Sequence, residues 1–175
     1  MDTDKNSRTF IQHPEIDILF GYVGATIPSK RQDFKPVQMM AVYEDGREEI
    51  LHNFYVRKPS TKSVQEFEQL IRDEITSSSL HEKKIMKPSL VEVTIVIYLT
   101  KERYFDIDVD NISKTVLDAI KGYLIEDDSQ VKRLICEKNI HPLNKDGFFI
   151  ALTELTSQRR GLMGDFYLFS EQKRD

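Results

Sequence analysis

The sequence has one cysteine in 175 residues, Cys136, so it holds neither an internal disulfide nor a cysteine-rich zinc knuckle. No apolar run reaches the roughly 18 residues that a spanning helix needs. The polar stretch Met1 to Arg8 has no signal-peptide core. A soluble, unexported protein of the reducing cytoplasm, with no membrane partner, is therefore expected. Positive charge is also in short supply: the net charge is -4 and the pI about 5.6. That balance argues at first against nucleic acid, because phosphate binding is driven by Lys and Arg displacing counterions. No internal repeat or low-complexity segment occurs. A hydrophobic content of 39% in a chain this short predicts one domain with a sizeable core.

The charge is unevenly distributed, which brings nucleic acid back as a partner. Between Phe105 and Gln130 stand seven acids (Asp106, Asp108, Asp110, Asp118, Glu126, Asp127, Asp128) against two lysines (Lys114, Lys121), so the rest of the chain is slightly basic. Scattered solubility charges account for the remainder, but not for that concentration.

The elements follow from periodicity and punctuation. Ile16 to Val23 reads as a strand running into a basic turn, Pro28-Ser29-Lys30-Arg31. Val37 to Val42 and Ile50 to Val56 flank Asp45-Gly46, a hairpin signal. Val64, Phe67, Leu70, Ile71 and Ile75 give helical spacing over Ser63 to Ser77, with Ser60, Thr61 or Ser63 as N-cap and Glu66 available for a capping box. Leu90 to Leu99, rich in Val, Ile and Thr, reads as a central buried strand. Asn111 to Leu124 carries one apolar helical face with Asp110 as N-cap. Val131 to Ile140 and Phe148 to Leu155 are two further strands joined by a loop. The sum is an α+β domain, a mixed sheet with two main helices packed on it, over residues 1–156. Residues 157–175 form a C-terminal extension whose Phe166, Tyr167, Leu168 and Phe169 are suited to docking on the body or on a partner.

The chemistry concentrates in Asp106-Ile107-Asp108-Val109-Asp110-Asn111-Ile112-Ser113-Lys114. If the strand continues through Asp108, alternation sets Asp106, Asp108 and Asp110 on one face, where unscreened carboxylates repel. A cation is expected there. Magnesium is usually held by one or two carboxylates plus substrate phosphate, which makes a phosphate-handling site the natural candidate. Lys114, four residues after Asp110 on a helix, shares its face and can neutralise charge on a cleaved phosphate. A calcium loop of the EF-hand kind also begins Asp-x-Asp-x-Asp, but its glycine position falls at Asn111 and its bidentate glutamate at Leu117. Helix capping alone explains Asp110 and leaves Asp106, Asp108, Asp127 and Asp128 without a reason. The four histidines, His13, His52, His81 and His141, sit in unrelated contexts.

The segments Asp108-Val109-Asp110-Asn111-Ile112-Ser113-Lys114, Leu117-Asp118-Ala119-Ile120, Asp127-Asp128-Ser129-Gln130-Val131 and then Lys138 resemble, in order and spacing, the signature of the RusA family of Holliday junction resolvases. The resemblance extends to the basic turn at Lys30 and covers roughly residues 16–156. It implies a homodimeric, Mg2+-dependent endonuclease that resolves four-way DNA junctions by paired symmetric cuts in recombination and repair. Asp108, Asp110 and Asp128 then match the metal-site carboxylates, and Lys114 the catalytic lysine. Two departures stand out. Tyr104, Phe105 and Asp106 occupy the place where the family commonly carries basic residues, and Val37 to Val56 and the tail are extra sequence. Junction affinity is therefore expected to be weaker or differently built.

DNA contacts are expected from Lys30, Arg31, Lys132 and Arg133, with Arg57, Lys58 and Lys62 as a second cluster. Tyr104 and Phe105 suit either burial or stacking on an unpaired base. A helix of about 13 residues is roughly 20 Å long, so a simple parallel crossover after it would carry Asp128 away from Asp108. Either the chain folds back along Gly122 to Glu126, or a partner subunit supplies Asp128. The alternatives to a junction resolvase are a nuclease acting on flaps or forks, and a non-catalytic dimeric DNA-binding module of the same fold.

Overall fold

The computed structural model describes residues 11–28, 34–57 and 61–164. In chain order these form β1 (Ile18–Val23), β2 (Phe34–Val42), β3 (Glu48–Arg57), α1 (Lys62–Ser77), a 3-10 turn (Leu80–Lys83), β4 (Leu90–Leu99), α2 (Val109–Ile120), a second 3-10 turn (Asp128–Gln130), β5 (Val131–Ile140) and β6 (Gly147–Leu155). Four strands make the body's sheet in the order β1-β6-β4-β5. β6 is antiparallel to both β1 and β4, whereas β4 and β5 are parallel, so the sheet is mixed as expected. β5 and β6 are consecutive in sequence but not neighbours, because β4 lies between them.

β4 is central for a reason written in its sequence. Val91, Val93, Ile95, Ile97 and Leu99 are almost wholly buried, and they alternate with Glu92, Thr94, Val96 and Tyr98 on the opposite face. The first set meets the helices. α1 contributes Val64, Phe67, Ile71 and Ile75 at helical spacing, and α2 contributes Ile112, Val116, Ala119 and Ile120. The Phe67 and Phe148 rings meet edge to face at 5.3 Å, where α1 presses on β6. Burying such aromatic side chains is worth about 1.5–3 kcal/mol each.

Several ends differ from the sequence-based expectation. α1 begins at Lys62 with Thr61 as N-cap, but that hydroxyl makes no cap bond and Glu66 pairs with Lys62 at 3.5 Å, so the expected capping box is not formed. α2 starts two residues early, at Val109, because Asp108 is the extended cap (φ -94°, ψ 131°) and Asp110 already lies in the first turn. It stops at Ile120, where Gly122 takes φ 83° and turns the chain.

The hairpin β2–β3 is present, with a register shift between Met39 and Met40, and among the described residues it makes its substantial contacts only within itself. The open face of the body's sheet is crossed by the residues after Leu155. Arg159 reaches Asp17 at 2.8 Å, and Arg133 donates to the carbonyls of Arg160 (3.0 Å) and Gly164 (2.6 Å). The first part of the expected extension is thus bonded to the body, while Phe166 to Phe169 lie outside the described residues. No described helix is long and apolar enough to cross a membrane.

Candidate active site

β4 ends at Leu99, and a turn over residues 101–106 replaces the strand continuation on which a shared face for Asp106, Asp108 and Asp110 depended. The two later aspartates owe their placement to the helix. Asp108 accepts the first helical bond through its backbone oxygen (Ile112 N at 3.3 Å), while its carboxylate takes no helical N–H and, among the described residues, accepts only from the Asn111 amide at 3.4 Å. Asp110 is exposed in the first turn of α2, where the helix dipole favours an anion. Lys114 stands one turn further on, as its spacing required. Among the described residues the side chains of Asp110 and Lys114 have no hydrogen-bond or ion-pair partner.

The turn before Asp108 is held firmly. Arg103 pairs with the buried Asp146 and donates to the Ile27 carbonyl, and Asp146 accepts the Thr100 amide at 2.9 Å. At the other end, Lys138 of β5 donates to the carbonyls of Tyr104 (2.8 Å) and Ile107 (2.7 Å), with its ammonium 4.7 Å from the centre of the Tyr104 ring. In the sequence Lys138 stands only as the last member of a motif. Its part in fixing the turn depends on a contact between residues 31 apart.

A groove of about 430 Å³ runs along α2 past Asp110, Lys114 and Asp118 to Asp128, with Leu134 and Cys136 of β5 as its apolar wall. Asp110 and Asp128 both line it, and Asp108 does not. From Asp110 to Asp118 is a rise of about 12 Å along a helix, so the two acidic groups mark opposite ends of the groove and Lys114 its middle. The parallel pairing of β4 and β5 is the simple crossover, with Val91 opposite Val131 and Leu99 opposite Ile140. Residues 121–127 do not fold back along the helix, because the Gly122 amide bonds the Ile125 carbonyl at 2.7 Å in a tight turn. Among the described residues no group of three His, Cys, Asp or Glu side chains is close enough to hold a metal ion unaided.

The far end has its own support. Asp127 caps the turn Asp128–Gln130 through the Ser129 amide, and the buried Gln130 accepts the Glu126 and Asp127 amides while donating to the Ile85 and Ser89 carbonyls. Lys121 bridges Asp128 (3.2 Å) and Asp127 (3.3 Å). The Asp128 carboxyl, the Ser129 amide and Lys121 together hold Asp127 well below the usual carboxylate range. Asp128 and Asp127 in turn raise the Lys121 ammonium. Sequence reasoning placed Lys121 in the acidic stretch without giving it this role.

Of the cations expected to face DNA, Lys132 is exposed, but Arg133 is occupied by the buried Glu92 at 2.6 Å and by the tail carbonyls. Lys30, Arg31, Lys58 and the Arg57 side chain lie outside the described residues, and Lys62 is exposed beside Glu66. None of the four histidines lines the groove.

The family model for endodeoxyribonuclease RusA matches residues 29–147 and sets the chain among DNA-cleaving enzymes. The match takes in the hairpin, both helices, β4, β5 and both acidic groups, and the chain belongs to the RusA family. No curated protein matches it.

Proposed function

We propose that the protein is a magnesium-dependent endonuclease that resolves Holliday junctions by paired, symmetric phosphodiester hydrolysis, working as a homodimer in DNA recombination or repair. The observation that carries the reading is the pairing of Asp108 and Asp110 at the head of α2, exposed and without a cation from the chain among the described residues, with Lys114 one turn on. These are hard oxygen donors. Magnesium is commonly held by one or two carboxylates and completes its shell with water and substrate phosphate, so the pair fits the ion without an all-protein cage.

Asp108 and Asp110 would hold the ion. The chemistry it supplies when bound is polarisation of the scissile phosphate and a lower pKa for the attacking water. Lys114 presents its ammonium to the groove, where it stabilises negative charge developing on the phosphoryl oxygens. Val109, Leu134 and Cys136 line the same groove with apolar surface, which lowers the local dielectric and strengthens that interaction. Asp128, at the far end of its own groove, joins the metal set of a second copy, so that two joined sites cut the two strands in register. Lys132, together with Lys30 and Arg31, contacts DNA phosphates.

The test is cleavage of a labelled four-way junction beside linear duplex and flap controls, with magnesium or EDTA, comparing wild type with Asp110→Asn. Paired nicks that require magnesium and vanish in the variant are expected. Cleavage of flaps alone would retain the nuclease and discard the junction. Intact substrates at high enzyme concentration and low salt would leave a DNA-binding module.

A further inference from the structure

Phe105 is 87% exposed, the most exposed aromatic side chain among the described residues, and it sits three residues before Asp108. Single exposed apolar side chains are common and usually need no explanation. This one differs because the turn that carries it is fastened on both sides. The Asp106 amide bonds the Arg103 carbonyl at 3.0 Å, Arg103 is anchored on Asp146, and Lys138 grips the carbonyls of Tyr104 and Ile107. Tyr104 lies half-buried over Lys138 and meets Phe105 edge to face, with ring centroids 5.2 Å apart. A fastened turn thus presents an aromatic ring to solvent with little conformational entropy left to lose on binding.

We infer that Phe105 is a DNA-contacting specificity residue that stacks on a base unstacked at the branch point, with Tyr104 and Lys138 as its support. The inference rests on the nuclease reading for the identity of the ligand. Three residues separate the two backbone positions by at most about 11 Å, so the ring is carried on the same short loop as the carboxylate that would engage the scissile phosphate. Bases inside continuous duplex are already stacked on their neighbours. An unpaired or strained base at a junction offers a free face, and any of the four bases serves, because each has a π-face. The ring therefore favours branched over linear DNA without reading sequence. It also supplies a contact where basic residues are lacking, since Tyr104, Phe105 and Asp106 carry no positive charge.

The test uses the full chain with 2-aminopurine at the crossover base of a synthetic junction, or at one of the next three steps, in EDTA so that no strand is cut. Wild type is expected to change the emission at one of these positions, and Phe105→Ala to lose the change while binding the junction about 5- to 150-fold more weakly. Phe105→Tyr should restore both. Linear duplex affinity should be unaltered, and the exposed position should leave Tm unchanged. Equal emission and equal affinity for wild type and Phe105→Ala would overturn the inference. So would a variant whose only change is a lower oligomeric state in sedimentation, because the ring would then face another copy. Binding with the emission change but no cleavage in magnesium would keep Phe105 as a base contact and sink the nuclease reading. Magnesium-dependent junction cleavage with silent emission would do the reverse.

Discussion

The ammonium of Lys138 lies 2.7 Å from the carbonyl oxygen of Ile107, the residue immediately before Asp108. A residue near the C-terminal end of the edge strand β5 thereby sets the backbone of the loop that bears an acidic side chain of the candidate site. Lys138→Met keeps most of the stem and removes the donor. Hydrogen bonds from a charged group are worth about 1.5–3 kcal/mol, so losing the two should lower Tm by several degrees. The more telling readout is the magnesium concentration for half-maximal cleavage. It should rise for Lys138→Met and return toward wild type in Lys138→Arg.

The separation of Asp128 from Asp108 and Asp110 leads to a mixing experiment. Asp108→Asn and Asp128→Asn chains, each inactive alone, should regain part of the activity when unfolded and refolded together, because one of the two sites in a mixed dimer then carries intact carboxylates. Activity that stays at background in a verified mixture would mean that each chain builds its site alone.

Lys132 and Arg133 are adjacent in sequence but should behave differently. Removing Arg133 strands the carboxylate of Glu92, which is 1% exposed, and an uncompensated buried charge costs about 3–5 kcal/mol. Arg133→Ala should therefore shift the urea midpoint strongly. Lys132→Ala should leave that midpoint in place and reduce the slope of log binding constant against log salt by about one.

The Lys121 bridge predicts a pH signature with two edges. The folded-state pKa of Lys121 is raised, so its stabilisation is complete below the unfolded value near 10.4 and fades as pH rises through the folded one. That of Asp127 is lowered, so its stabilisation is complete above about 3.9 and fades as pH falls. The Tm difference between wild type and Lys121→Met should be flat across the middle of the range and shrink at both ends. A difference independent of pH would show that the bridge contributes nothing through charge.

Burial raises the Cys136 thiol, with a smaller opposing effect from Ser113, so little thiolate exists at neutral pH. Alkylation should be slower than for a free cysteine. Because Cys136 lines the groove with Lys114, a bulky maleimide adduct should stop cleavage while Cys136→Ser retains it.

Much of the architecture was legible in the chain. β4 coincides with its β-branched run, β5 has the limits expected, and both helices follow their apolar spacing, because burial on one face leaves a period in the sequence. What was not legible depends on partners distant in sequence. The Glu92–Arg133 pair and the grip of Lys138 on Tyr104 and Ile107 join residues 31 to 41 positions apart, and no local pattern encodes them or the place of β4 between β5 and β6. The acidic side chains of the site were found from their concentration. Their division between two ends of a groove was not, since it follows from the length of α2 and the direction of β5.

The hairpin of β2 and β3 has a consequence for cooperativity. A two-stranded ribbon is marginal in water by itself, and here Met39, Val42, Ile50, Leu51 and Tyr55 remain more than half exposed. With no substantial contact to the sheet or helices among the described residues, the ribbon draws little on the stability of the body. Its amides should exchange with solvent far faster than those of β4, through openings that leave the rest of the molecule folded. The ribbon should therefore open at a lower free energy than the body, and a partner that covered its apolar side chains would slow that exchange.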